Sequence, residues 1–237
     1  MAYIYEYIRT KGFVPLHFEE HYTHLEELAR RLLATPLEID CQRLREKIAE
    51  ALRGNNYSAD MAHLVKVCYS ASGEVKIVTG DILYGQFSVR AIRPTIGVVE
   101  RVAKESLLLE NSSVKDAMME LQYAKNQHLD NPNALTMWTT EQNEVVAIDG
   151  ASVVAVFDDE ILFSECGRGV EFELLYGVAT KQYRRVTKAP LMLSDLKRAK
   201  ELLFVDCRGI TAIDSWDNHY YMDLTATLLA SQIAKGE

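Results

Sequence analysis

Apolar and polar positions alternate through the opening stretch AYIYEYIRTKGFVPL, which is rich in Tyr and Ile. Alternation with period two marks strands, and Thr10-Lys11-Gly12 supplies a turn, so a β-hairpin is expected here. The period then changes. In HFEEHYTHLEELARRLLATPLEID the residues Leu25, Leu28, Leu32 and Leu33 fall on one helical face, and Pro36 closes the helical region. A second helix is expected over roughly Cys41–Leu52, ending at the turn cluster GNNYSAD. The stretch MAHLVKVCYSASGEVKIVTGDILYGQFSVRAIRP holds three β-rich runs separated by Ser/Gly and Gly/Asp turns, the pattern of an antiparallel meander. Residues 1–92 therefore predict helices packed on an antiparallel sheet.

A poorly patterned connector, 93–111, follows. The polar cluster Asn111-Ser112-Ser113 then leads into an apolar-periodic helix with Lys115 at its start. Beyond it, ALTMWTTEQNEVVAIDGASVVAVFDDEILFSE reads as strands broken at Glu141-Gln142-Asn143, Asp149-Gly150 and Asp158-Asp159. VEFELLYGVATKQYRRV predicts a helix interrupted by Gly177. MLSDLKRAKELLFVDCRGITAI predicts a short helix capped by Ser194 or Asp195 and a buried strand at Leu202–Val205. TATLLASQIAKGE closes as a helix or tail. No internal repeat or low-complexity linker interrupts the pattern, which divides into two α+β lobes, 1–105 and 106–237.

Composition narrows the class of function. The 237 residues carry a net charge of −8, which argues against nucleic acid as a partner and gives no broad cationic surface for anionic lipid. Cys41, Cys68, Cys166 and Cys207 are scattered without CxxC spacing, as expected for reduced thiols in a cytoplasmic protein rather than a disulfide framework or zinc site. MAYIYEYIRTKGF lacks the apolar core of a signal peptide, and no apolar run reaches about 18 residues.

Few local motifs carry chemistry. Dinucleotide, Walker, GxSxG, HExxH and EF-hand signatures are absent. His17, His21 and His24 recur at helical spacing, but no Cys, Asp or Glu partner is fixed beside them, so they read as a polar face or as packing histidines rather than a metal site. Lysine chemistry asks for a desolvated amine, or one beside another cation, so that a useful fraction is neutral near neutral pH. With pyridoxal 5'-phosphate (PLP) it also needs a cradle for the phosphate and an acid facing the pyridine nitrogen.

The order of the pieces resembles the class IV aminotransferase family, which includes branched-chain and D-amino acid aminotransferases and aminodeoxychorismate lyase. That family opens with E-x-I-R, a turn, a strand and a helix reading H-x-x-R-L. This chain has Glu6-Tyr7-Ile8-Arg9, then Gly12, then His21-Tyr22-Thr23-His24-Leu25. VKVCYSASGEVKIVT resembles the family's next hairpin, NEVVAIDGASVVAVFDDEILFS its strand–turn–strand, and LMLSDLKRAKELLFV its segment leading into a late strand. The resemblance spans nearly the whole chain. It implies a two-lobed α+β, D-amino acid aminotransferase-like PLP-dependent fold, a homodimer, and a site between the lobes.

It also implies roles. Lys115 falls at the helix entrance where the family keeps its Schiff-base lysine. His24 stands where the family has its phosphate-binding Arg, and Arg168, flanked by Gly167 and Gly169 ahead of a helix, offers a possible anion nest. A gap-free overlay of VAIDGASVVAVF puts Ile148 at the place of the ring-nitrogen glutamate and Val153 at that of a later Asn, with Asp149 adjacent. The Asn of the family's K-x-x-N is replaced by Met118. Near the family's hydroxyl-rich phosphate loop the chain has Cys207, Arg208 and Thr211. The expected function is PLP-dependent aminotransferase or lyase chemistry on a small amino-acid-like substrate. Lys115 is the catalytic amine, and His24, Lys115, Asp149 and Arg168 bind cofactor. The alternative is a homologue that keeps fold and dimer without that chemistry.

Overall fold

The alternation that opens the chain becomes a nine-residue strand. In the computed structural model, which describes residues 3–81, 88–92, 95–101 and 134–236, β1 (Tyr3–Lys11) turns Tyr3, Tyr5 and Tyr7 outward and Ile4, Glu6 and Ile8 inward. The chain divides into two compact units, Met1–Gln86 and Phe87–Gly236.

In the first unit β1 is flanked by β2 (Val14–Pro15) and β3 (Ala62–Ser70), and β4 (Val75–Asp81) pairs outside β3, all antiparallel. The β1–β3 register runs from Tyr3↔Ser70 to Lys11↔Ala62. Two helices supply the other half of the core, α1 (Phe18–Leu28) and α2 (Cys41–Gly54). In α2, Leu44, Ile48 and Leu52 recur at four-residue spacing and are fully buried against Val65 and Val67. Asp40 caps this helix, its Oδ1 accepting the Arg43 N–H at 2.9 Å. Asp40→Ala is expected to lower stability by about 1 kcal/mol, read as a shift of the urea midpoint.

The first helix departs from the sequence expectation. After Leu28 the chain widens into a π-helical turn, Ala29–Leu33, and leaves through Ala34 in the left-handed region (φ 54°). The wider turn delays the side-chain phase, so Leu25 and Ala29 are buried while Leu32 is 37 % exposed. The helical region thus ends before Pro36, whose carbonyl accepts the Tyr69 hydroxyl at 2.9 Å.

The second unit is built on a six-stranded sheet in the order β11-β10-β9-β12-β13-β5. Its strands are β5 (Ser88–Ile92), β9 (Ser152–Val156), β10 (Ile161–Ser164), β11 (Val186–Ala189), β12 (Glu201–Asp206) and β13 (Gly209–Ile213). SVVAV of β9 is buried along its whole length, as a continuous apolar run in a strand covered on both faces should be. Val154, Val156, Leu203 and Val205 face one cluster with α3 (Val170–Gln182) and α4 (Leu224–Gly236). The alternate residues Val153, Ala155, Leu202 and Phe204 face a second cluster with Met137, Val145 and Ile148. A three-stranded sheet, β6 (Thr95–Arg101), β7 (Ala134–Thr140) and β8 (Val145–Ile148), and a short hairpin, β14 (Ser215–Trp216) with β15 (His219–Tyr220), complete the unit.

The third run of the expected meander is the largest difference. β5 does not pair with β4. It lies parallel to β13, from Gly209↔Ser88 to Ile213↔Ile92. Helix α3 runs through Gly177 without a break, and the short helix before β12 is a single 3-10 turn, Asp195–Arg198. The three turn signals after Ala134 each fall between strands. Among the described residues no helix is long and apolar enough to cross a membrane.

Candidate functional site

Glu6 is the inward-facing acid of an otherwise apolar strand face, 8 % exposed between buried Ile4 and Ile8. A buried carboxylate needs partners, and α1 supplies them. His21 and His24, one helical turn apart, both reach β1. His21 Nδ1–H donates to Glu6 Oε1 at 2.7 Å and His24 Nδ1–H to Oε2 at 3.0 Å. An ionised carboxylate only accepts, so each imidazole carries its hydrogen on Nδ1. Burial pushes the Glu6 carboxyl up, but the hydrogen bonds and charges of the two histidines outweigh it and hold the group below the usual carboxylate range. The Glu6 hydrogen bond holds His24 above an ordinary histidine, against burial and the nearby Arg31, and the charges of Glu6 and Glu27 add to it. His21 is 2 % exposed and sealed, whereas the His24 side chain is 29 % exposed.

The β8–β9 turn holds the next candidates. Asp149 (φ 48°) and Gly150 (φ 79°) both adopt the left-handed region, which tightens the hairpin and closes it with two backbone bonds between Ile148 and Ala151. Ile148 is fully buried in the core. Asp149 is stapled to β7: its N–H donates to Thr136 O at 2.9 Å, and its Oδ1 accepts the Thr136 N–H at 2.8 Å.

Three residues along, Ser152 anchors the loop of Arg168. The Arg168 N–H donates to Ser152 Oγ, and the hydroxyl donates back to the Arg168 carbonyl, both at 2.8 Å. The guanidinium folds over its own loop, Nη1 donating to the carbonyls of Glu165 and Gly167 at 2.7 Å each. Gly169 (φ 105°) opens α3, whose first turn carries Glu171, 8 % exposed, and Glu173. These acids complement the positive helix end from within the chain.

The structure thus brings Asp149 and Arg168 to the same end of β9, and places His24 in the first unit beside Glu6. Lys115, Met118 and the helix expected from them lie outside the described residues. Of the late candidates, Cys207 and Arg208 form the tight β12–β13 turn, where Arg208 is ion-paired with Asp206. Thr211 Oγ1 accepts from Arg90 at 3.4 Å. Sequence reasoning missed Glu6 and His21 as members of the His24 site. The available signal was an acid at an inward position of an alternating strand, followed by histidines at i, i+3 on the next helix. Among the described residues no group of His, Cys, Asp and Glu is arranged as a metal ligand set.

No curated protein matches the chain in sequence. Solved structures are alike in fold at low identity. A Legionella pneumophila protein proposed to be a 4-amino-4-deoxychorismate lyase is 15 % identical with a TM-score of 0.81, covering 99 % of this chain and 91 % of its own. A hypothetical aminotransferase from Mycobacterium tuberculosis, in a PLP-bound form, is 16 % identical over 99 % of this chain and 89 % of that one, with a TM-score of 0.73. The branched-chain amino acid aminotransferase from Escherichia coli is 13 % identical over 98 % and 83 %, with a TM-score of 0.75. The family described as amino-transferase class IV matches residues 3–216, through both units, and the chain belongs to that family.

Proposed function

We propose that this protein is a PLP-dependent class IV enzyme, an aminotransferase or an aminodeoxychorismate lyase-like protein, acting on a small amino-acid-like substrate as a cytoplasmic homodimer. The class IV family is PLP-dependent. The observation that carries the reading is the extent of the family match, which takes in His24, Lys115 and the Asp149–Arg168 region in one continuous span.

His24 fits the phosphate end of the cofactor. His24 is an imidazole whose cationic form Glu6 favours, and its exposure leaves room for a second partner. Arg168, in the second unit, is a separate candidate cofactor-binding cation whose loop is anchored on Ser152. At the ring end the fit is poorer. Ile148 is a buried aliphatic, and Asp149 beside it is the carboxylate left to face the pyridine nitrogen, with one oxygen already on the Thr136 N–H. When bound, the cofactor supplies an electron sink for charge developing at the substrate's α-carbon. Lys115 Nζ would be its attachment point and, once displaced by the substrate's amine, would take and return the proton at that carbon.

Ile148 favours a second reading, in which fold and dimer persist without cofactor chemistry, because an aliphatic group cannot keep a pyridine nitrogen protonated. The two readings part in one experiment. Purified protein incubated with excess PLP and passed over a desalting column is expected to stay yellow. Borohydride reduction should then place the cofactor on the Lys115 peptide, and Lys115→Ala should stay colourless. A colourless wild-type protein overturns the enzyme reading. Light scattering on the eluted peak tests the dimer.

A further inference from the structure

Both oxygens of the buried Glu6 carboxylate are occupied, each by an imidazole Nδ1, so neither ring is free to turn away from it. Of the two rings, His21 is sealed, and only His24 has an edge that reaches solvent. With Nδ1 committed to Glu6, a protonated His24 has one further donor, Nε2–H. A doubly protonated imidazole backed by a buried carboxylate is a fixed cation with one directed hydrogen bond to give, which suits an oxyanion.

We infer that Glu6 is a positioning residue for an oxyanion site: locked between His21 and His24, it holds the His24 imidazolium so that Nε2–H donates to a dianion such as a phosphate monoester, and binding at this site is proton-gated. In naming the phosphate monoester of a cofactor as ligand, the inference rests on the PLP reading. The charges that reach His24 are Glu6 from β1, Glu27 from its own helix and Arg31 from the π-helical turn. The acids favour the imidazolium and Arg31 opposes it. His24 is held above its ordinary value, so the pair favours the imidazolium, which is lost as pH rises through the folded-state value. Anion affinity falls with it, by up to about tenfold per pH unit above that point. An arginine there would not titrate in this range.

The test uses the full chain and inorganic sulfate, which stays a dianion across the whole pH range. Imidazole resonances are followed by NMR during sulfate titrations at about pH 6 and about pH 9. The His24 resonances are expected to shift on binding, with affinity at least about tenfold weaker at the higher pH. Glu6→Gln should lower the His24 titration point and weaken sulfate binding at neutral pH. His24→Arg should restore binding and make it independent of pH, which a purely structural role for His24 would not produce. His24 resonances indifferent to sulfate overturn the inference, as does equal affinity at both pH values. His24→Arg answers the question even if Glu6→Gln does not fold. PLP uptake is measured on the same samples. Uptake without pH dependence sinks the inference and spares the PLP reading. Proton-gated sulfate binding without uptake does the reverse.

Discussion

Replacing Glu201 with alanine is expected to destabilise the second unit by about 3 kcal/mol. Glu201 is the first residue of β12, 3 % exposed, and its side chain crosses from the sheet to the start of α4. Oε1 accepts the Thr225 N–H at 2.6 Å and Oε2 the Ala226 N–H at 3.0 Å. Those amides belong to the first helical turn, where no intrahelical acceptor exists, and the helix dipole adds to the attraction for a negative group. The charge is felt nearby: burial first, and Glu201 second, push the Tyr183 phenol above its ordinary value. Alanine leaves a buried and a half-buried donor without a partner and opens a space beneath α4, whose Ala226, Leu229, Ala230 and Ile233 form part of the core. Glutamine keeps one acceptor and should cost about half as much. Urea denaturation measures the total, and amide exchange at Thr225 and Ala226 localises it. A wild-type midpoint in Glu201→Ala would show that water serves the helix end equally well.

Gly12→Ala is expected to be comparably severe in the first unit, at about 3 kcal/mol or more. Gly12 follows β1 with φ +57°, in the left-handed region where a Cβ is strained. Space is also lacking, because a Cβ there would sit on the backbone carbonyl of Ala59. A backbone carbonyl cannot rotate away as a side chain can. The neighbouring bonds hold the turn in place, with Gly12 N–H donating to Met61 O at 2.8 Å and Thr10 Oγ1 donating to Gly12 O at 2.9 Å. Relief therefore requires the β1–β2 turn and the loop before β3 to separate. The measurement is the urea midpoint of the variant against wild type. A shift below about 1 kcal/mol would mean that the loop carrying Ala59 yields easily.

The candidate site was legible in part. The histidines were visible at helical spacing, the family order singled out His24 and Asp149, and the flanking glycines singled out Arg168. What His24 bonds to was not legible, because Glu6 lies 18 residues earlier on another element. Only the approach of α1 to β1 joins them. The same holds for Arg168, whose anchor is Ser152, 16 residues away, and for Asp149, which is fixed by a strand that begins before the turn it occupies.

Local periodicity and turn chemistry account for the elements that can be read straight from the chain. The alternation of β1, the four-residue repeat of Leu44, Ile48 and Leu52, and the turns at Asp149-Gly150 and Asp158-Asp159 all reappear as elements, since each depends on neighbours a few residues away. Tertiary structure alone decided the rest. β5 pairs with β13 rather than β4, and its sequence reads equally well beside either, because backbone hydrogen bonding does not distinguish partners. The phase of α1 was set by a widened turn that packing selects. Glu201 and Glu6 look like ordinary acids in the sequence. Each becomes a buried, doubly bonded carboxylate only when a distant helix brings donors to it, because a charge is retained in a core only where hydrogen bonds replace the water it lost.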